Sequence, residues 1–477
     1  MKKTSLALVV ALGAFSLLFF GIKFFVIAHY GSATPYWDQW DAEAANLYQP
    51  WLEGRLSFQQ LVAPHNEHRI VTTRLLALLL LKLNGLWNPL LQMCVNTMIH
   101  LVVILMSLFL IAYGYGKKIF FPLLFFSSFL FFIPYAWENT LAGFQAQFYF
   151  VLFFSVLTLF LLIEKKLFTP LWSLGLLSGV LAFFSLASGI LSAAAVVAVF
   201  CLHYALGIDR SWKKIIAALA LILLVALGIL FTPTITGHAP LKAHSAKQFA
   251  AVFITIMSWP LPGNFFWFLF RNAPALVFCD ALFLGRPQVN DRRWFLLGLI
   301  IWTTLQAMSI AYGRAEGCLS SRYLDLFAFS VLMNFACLLN EYSFKNLFRK
   351  SVVVLWTVVI VTALARSSYK DLPEQLAEKR RTEMAQTFNL QNYQRSGNID
   401  DLKNKPFQEI PYPDPARLAM LLSSPTIQKI LPTNIQKTGT EISVPVGRLD
   451  GVIDWILSHP LLFIALGVVI ALIALIC

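Results

Sequence analysis

The chain has 477 residues, 58% of them hydrophobic and 13% charged, with a formal net charge of +13. That much apolar surface exceeds what one soluble core can hide, which excludes an ordinary globular enzyme. Apolar runs of about 17 to 25 residues recur, each long enough to cross about 30 Å of hydrocarbon as a helix, whereas barrel strands would alternate. The basic residues sit in short loops between these runs, as positive-inside topology requires. The charge therefore sets orientation, no nucleic acid is expected as a partner, and the lipid bilayer is the first partner. Cys94, Cys201, Cys279, Cys337 and Cys477 fall in apolar segments and Cys318 in a loop, with neither disulfide pairing nor zinc spacing.

Met1-Lys2-Lys3 and the apolar run over residues 6–27 resemble a signal peptide, but the run exceeds an h-region and no Ala-x-Ala site follows. An uncleaved first span is predicted, with a first outer loop over residues 29–87. Residues 70–81 are apolar but too short to cross, so they form a juxtamembrane or half-inserted helix. A full crossing there would put Lys117-Lys118, Lys165-Lys166 and Lys213-Lys214 outside. The second span covers residues 90–113 and the third 119–134, and the fourth ends inward at Glu164-Lys165-Lys166. The fifth and sixth turn at Ser188-Gly189, and the seventh exits near Thr232.

Residues 250–285 exceed one crossing and are broken by Pro260, Pro262 and Gly263, which predicts one crossing plus a re-entrant or interfacial helix. The ninth span exits at Tyr312-Gly313-Arg314, the tenth returns to Lys345, Arg349 and Lys350, and the eleventh exits near Arg366. Residues 367–454 are polar and turn-rich, including Pro411-Tyr412-Pro413-Asp414-Pro415, and predict a small cap of loops and short helices. The expected fold is an all-α polytopic membrane protein with about twelve spans. It divides into a transmembrane module (1–366), the cap (367–454) and a last span (455–477).

The outer face gathers an unusual set of polar groups. Pro35-Tyr36-Trp37-Asp38-Gln39-Trp40-Asp41 follows the first span directly. Tyr and Trp there can serve as interfacial anchors; the functional reading is an active-site carboxylate beside an aromatic wall for a sugar or lipid. In a helix Asp38 and Asp41 would share a face, and a half-shielded carboxylate can act as a general base. His65-Asn66-Glu67-His68-Arg69 lacks the i, i+4 histidine pair of a zinc helix. It reads as a polar loop, a metal site, or a phosphate cradle built on Arg69, whose fork binds phosphate bidentately. Glu138 and Gln145 lie between the third and fourth spans, for substrate contact or helix–helix hydrogen bonding. Arg314, Glu316 and Arg322 share one late outer loop, where ion pairing and snorkelling compete with phosphate binding.

This layout resembles the GT-C superfamily of integral-membrane glycosyltransferases and is similar to protein O-mannosyltransferases and the aminoarabinose transferases of lipid A. An acidic residue soon after the first span, a juxtamembrane segment closing the first loop and a late outer arginine carry the resemblance. It implies Asp38, or else Asp41, as the catalytic acid/base. It also implies Arg314, Arg322 and Arg69 at the donor's phosphate, with His65, His68, Glu67, Glu138, Gln145 and Trp37 around the substrate. The Asp-x-x-Asp pair and the His-Asn-Glu-His-Arg run depart from the Lys-Pro-Pro-like segment of better-known relatives.

The implied reaction moves a sugar, with inversion, from a polyprenyl-phosphate donor to an envelope glycan or lipid acceptor such as lipopolysaccharide O-antigen. It would run at the periplasmic face of a bacterial inner membrane. No cofactor and no dedicated metal site is expected, with a divalent cation as an option. A flippase or transporter of a lipid-linked sugar, an O-antigen polymerase or ligase, and a non-enzymatic scaffold are the rival readings.

Overall fold

The computed structural model describes residues 2–113, 116–341, 347–436 and 446–476. Lys345 and Cys477, and the side chains of Lys2, Lys3, Lys117 and Arg349, lie outside the described residues. The first half of the chain forms α1 (Lys2–Tyr30), a π-helix (Gln39–Tyr48), α2 (Gln49–Leu52), α3 (Phe58–Val62), α4 (Val71–Asn84), α5 (Pro89–Ala112), α6 (Lys117–Phe131), α7 (Trp137–Leu141), α8 (Ala146–Glu164), α9 (Pro170–Phe183), α10 (Leu191–Ala205) and α11 (Trp212–Leu230). The second half forms α12 (Ala246–Ser258), α13 (Phe265–Gly285), α14 (Arg293–Gly313), α15 (Leu324–Glu341), α16 (Leu347–Ser396), α17 (Pro415–Ser423), α18 (Pro425–Gln428), α19 (Asp450–Ser458) and α20 (Pro460–Ile476). Among the described residues there is no strand, and the chain is an all-α, multi-pass membrane protein.

Nine described helices are long and apolar enough to cross a bilayer, or eleven if the bent pairs α6–α7 and α19–α20 count once each. α9 is apolar but has only 14 residues, so the expected count of about twelve requires it to cross as well. α4 likewise has 14 residues and stops where Gly85 turns left-handed at φ +84°. It is not among the candidate spans. α12 and α13 are separated at Trp259–Asn264, the break that Pro260, Pro262 and Gly263 foreshadow. α12 is a short apolar helix beside the long α13.

α1 and α20 run antiparallel in close contact, and glycine permits it. A Cβ on Gly21 would meet Ile464 Cγ1 at 2.5 Å, and one on Gly467 would meet Leu18 Cγ at 2.8 Å. Close backbone approach through small residues is how helices associate in lipid, where burial alone offers little drive.

α16 differs from expectation. It is 50 residues long and passes Arg366 and Pro373 without a break, ending at Ser396. Ion pairs along its own surface support the polar half, with Lys379–Glu383 at 2.8 Å and Arg381–Glu378 at 2.5 Å. That half packs on the first loop and the cap: Thr387 Oγ1 is 2.7 Å from Thr34 Oγ1, and Asn389 and Gln386 donate to the carbonyls of Glu409 and Gln408. One apolar core joins Trp40, Leu47, Tyr48 and Trp87 of the first-loop region to Leu390, Leu402, Leu418 and Ile427. Polar chain from both ends of the sequence thus folds into one layer over the bundle.

The bundle has two distinct ends. At the basic end Arg292 lies 3.6 Å over the Tyr113 ring, and Lys214 reaches His203 at 2.7 Å and Asp209 at 3.0 Å. The opposite end holds the first loop and the cap. In a background freed of native cysteines, Cys placed at 165 and at 213 should label from one side with an impermeant maleimide, and Cys at 316 from the other. Labelling of all three from one side would refute the alternation of spans.

Candidate functional site

The first loop is held in a defined turn. The Trp40 indole N–H donates to the Pro35 carbonyl at 2.8 Å, the Tyr36 N–H donates to Gln39 Oε1 at 3.1 Å, and the Trp37 N–H donates to Pro411 of the cap at 2.7 Å. Trp37 takes φ +47° and sets its ring edge-on to Phe407 at 5.1 Å. Asp38 follows at the start of the π-helix. Its side chain is 44% exposed, and its ion-pair partner among the described residues is His65, with Nε2 3.3 Å from Oδ1.

Asp38 and Asp41 do not share a face. The helix beginning at Gln39 is a π-helix, whose wider i→i+5 turn takes residues three apart out of line. Asp41 points to the cap and pairs with Arg417.

The His65–Arg69 run forms a tight backbone bridge, His65 N to His68 O at 2.7 Å and the reverse bond at 3.0 Å, with Asn66 left-handed at φ +50°. This turn aims Glu67 at Arg314, whose Nη2 lies 3.1 and 3.0 Å from the two carboxylate oxygens. His238 Nδ1 approaches the same carboxylate at 2.5 Å. Burial opposes ionisation of Glu67, but the bonds from Arg314 and His238 outweigh it and hold the acid down at about 2. His68 is enclosed, and burial pushes its imidazole down to about 4; the charges it feels include Glu67, Arg314, His65 and Asp38. Arg69 donates to the carbonyls of Val62 at 2.8 Å and Phe231 at 3.2 and 3.3 Å. It clasps the loop to the end of α11.

A second cluster is built around Glu138. Glu138 Oε2 accepts from the hydroxyls of Ser320 at 2.8 Å and Ser321 at 3.0 Å, and from the Arg322 N–H at 3.0 Å. Asn139 donates to the Arg322 carbonyl at 3.0 Å and to Asp325 at 2.9 Å. The Arg322 guanidinium has no ion-pair partner among the described residues and lies 5.5 Å from the Tyr323 ring. Burial, then the charges of Glu138 and Glu383, raise the Tyr36 hydroxyl; Arg322 lowers it and Asp38 raises it further. Lys379 completes this side, 3.8 Å over the Tyr36 ring. Gln145 lies apart from both clusters, accepting from Gln147 at 3.0 Å.

Asp38 is therefore the shared neighbour: His68 feels it together with Arg314, and Tyr36 feels it together with Arg322. His238 and Lys379 were not read from the sequence. The available signal was weak, since His238 sits in the polar stretch Thr236-Gly237-His238 between two apolar runs and Lys379 is one cation among many on α16. Glu43 was legible only as an outer-loop charge, and Lys23 is hidden inside the first apolar run. Among the described residues no group of three or more His, Cys, Asp and Glu side chains is placed to hold a metal ion. A cavity of about 300 Å³ lined by Leu202, Cys279, Phe283 and Leu297 is apolar, lies toward the basic end and is separate from this chemistry. No family model, no curated protein and no solved structure matches this chain.

The two loop shifts have the same sign. Both folded values are depressed, so each contributes stability that is present above the unfolded value and lost as pH falls. His68 acts as pH falls from about 6.5 to 4 and Glu67 from about 4.5 to 2. Measured against His68→Gln, wild-type thermal stability followed from pH 7.5 downward should decline in the upper window, and measured against Glu67→Gln it should decline in the lower one. The comparison cancels Glu43, whose raised folded value of about 7 contributes with the opposite sign between about 7 and 4.5. Glu67→Gln should also lower stability at neutral pH by on the order of 2 kcal/mol. A wild-type curve that parallels His68→Gln through the upper window would contradict the assignment.

Proposed function

We propose that this chain is a membrane glycosyltransferase of GT-C type that moves a sugar from a polyprenyl-phosphate donor to an envelope glycan or lipid acceptor. The observation that carries the reading is a half-exposed carboxylate, Asp38, paired with His65 at one end of a membrane bundle. Its charge reaches His68 along with that of Arg314, and Tyr36 along with that of Arg322. The donor's lipid would lie in the bilayer beside the bundle, and its phosphate at the surface near Arg322. The acceptor would approach between the first loop and the cap, where Trp37 and Phe407 offer aromatic surface. By the positive-inside rule this end faces away from the cytoplasm, which in this reading is the periplasmic side of a bacterial inner membrane.

In the proposed step Asp38 removes the proton of an acceptor hydroxyl as that oxygen attacks the anomeric carbon. The bond from that carbon to the phosphate oxygen breaks, and its electron pair leaves with the lipid phosphate. Arg322, which has no ion-pair partner among the described residues, is the first choice to stabilise that developing charge. Arg314 is engaged by Glu67 and contributes through the shared field, with His65 orienting Asp38. One-step displacement inverts the anomeric centre.

One observation favours the rival carrier of lipid-linked sugars. Lys23, His100 and Asp325 are buried in three different spans, with Lys23 Nζ 3.1 Å from Thr140 and His100 3.9 Å from Asp325, and intramembrane charges often mark transport paths. The two readings separate in proteoliposomes. Glycosyl transfer from a panel of undecaprenyl-phosphate sugars to envelope lipids and glycans is measured alongside movement of the donor across the bilayer. Transfer by the wild type is expected, with Asp38→Asn lowering the rate by about 10²–10⁴ and Arg322→Ala by about 10²–10³. Full activity in Asp38→Asn, or donor movement with no transfer across the panel, would reject the assignment.

A further inference from the structure

Glu43 stands four residues into the π-helix and is 1% exposed. Its carboxylate has no cation beside it. Oε2 accepts from the indole of Trp87 at 3.0 Å, from Gln39 at 3.2 Å and from the Tyr48 hydroxyl at 3.4 Å, and Oε1 accepts from Gln92 at 3.0 Å. A carboxylate buried among neutral groups is costly, and a leucine or an amide there would cost less. The wide turn of the π-helix makes the cluster, bringing Gln39, Glu43 and Tyr48 onto one side at spacings of four and five.

Gln39 links this buried acid to the site. Its Nε2 donates to Glu43 and, at 2.7 Å, to Gln92, while its Oε1 accepts the Tyr36 N–H and its own N–H donates to the Tyr36 carbonyl at 3.1 Å. These bonds close the turn from Tyr36 to Gln39, which contains Asp38 and the left-handed Trp37. A non-glycine residue held at φ +47° costs on the order of 1–3 kcal/mol and persists only when its surroundings impose it. The cluster has no slack. A Cβ on Gly143 would lie 2.5 Å from Gln92 Oε1 and 3.1 Å from Gln39 Nε2, and the gap beside Tyr48, Trp87 and Gln92 is too small for water.

We propose that Glu43 is a positioning residue for Asp38: its ionised carboxylate fixes the Gln39 amide, and that amide fixes the backbone turn from which Asp38 projects. Protonation loosens the arrangement. A protonated Oε2 accepts more weakly, and of its three neighbours only the Tyr48 hydroxyl, which also reaches the Ala77 carbonyl at 3.5 Å, can turn to take the proton. The bond that fixes the Gln39 amide weakens, and with it the hold on the Tyr36 N–H. Burial pushes Glu43 up to about 7 against the pull of its four donors, which puts the change near neutrality. The charged and titratable groups around it are Tyr48 and Asp41 on its own helix, Arg74 of α4 and Arg417 of α17. Asp41 is paired with Arg417, and Arg74 is bound to the carbonyls of Gln60, Leu61 and Ala63. α5 presents only Gln92.

The consequence for turnover rests on Asp38 being the base of the proposed transfer; the coupling itself does not. Amide hydrogen exchange of the peptide covering residues 36–40 is followed in the full-length protein between about pH 5.5 and 8.5, corrected for intrinsic exchange. Loss of one hydrogen bond should cut protection about tenfold as pH falls through the titration of Glu43. Glu43→Gln should show the low-pH protection at every pH with no step. Glu53→Gln, which alters the exposed carboxylate beside Arg55, should keep the step. A flat wild-type profile, or a step that survives Glu43→Gln, would overturn the proposal. If Glu43→Gln does not fold, Gln39→Leu, which removes the link and keeps the acid, must abolish the step. A pH step without any glycosyl transfer would leave the positioning intact and remove the transferase reading, while transfer with no step would do the reverse.

Discussion

The contact between Glu67 and Arg314 ties together residues 247 positions apart, and the site depends on it. A loop that leaves the first span has no intrinsic reason to return to the end of α14. The carboxylate gives it one, because a half-shielded anion is stable only against a cation or several donors. Arg314 and His238 supply both, and they come from two further segments, so one acid closes three stretches of chain on one another. His68 lies half-buried beside that closure, where its surroundings favour the neutral ring.

Three other carboxylates of this end each have a different partner. Asp41 takes Arg417 in the cap, Glu138 caps the turn that begins α15, and Glu43 is surrounded by neutral donors. Each arrangement lowers the energy of an ionised group by spending that group's hydrogen-bonding capacity. Asp38 is the exception, with one histidine edge and substantial exposure. Asp38 therefore keeps lone pairs that no second partner takes up. Among the described residues the Arg322 guanidinium likewise has no ion-pair partner, and both charges reach Tyr36.

Much of this was legible from hydropathy because the bilayer imposes one rule on every span: its backbone must bond to itself. That rule fixes the helices, the shortness of α4 and the proline break before α13. It also pushes charged groups to the helix ends, which is why residues 35–41, 65–69 and 312–323 stood out together. The π-helix was not legible, since its i→i+5 pattern leaves no periodic signature in ten residues with seven buried. The extension of α16 beyond Arg366 was hidden too, because its support comes from ion pairs and from packing on Thr34 and Tyr36. Pairings such as Glu67 with His238 depend on long-range closure that no local pattern records. Lys23 was masked because one lysine hardly alters a long apolar average.

Lys23 also explains why the site sits where it does. Beneath the Glu138–Arg322 turn, Asn139 hydrogen-bonds Asp325, and Lys23 lies close enough for the two charges to sense each other while bonding Thr140. Charges so placed are costly in hydrocarbon and are held only where they find partners. The same segment supplies both layers: Glu138 and Arg322 face upward into water, Asn139 and Asp325 downward into the bundle. Moving this segment deeper would bury the exposed Arg322. Moving it outward would detach Arg322 from its buried anchorage. The segment therefore belongs at the boundary between the bundle and its cap.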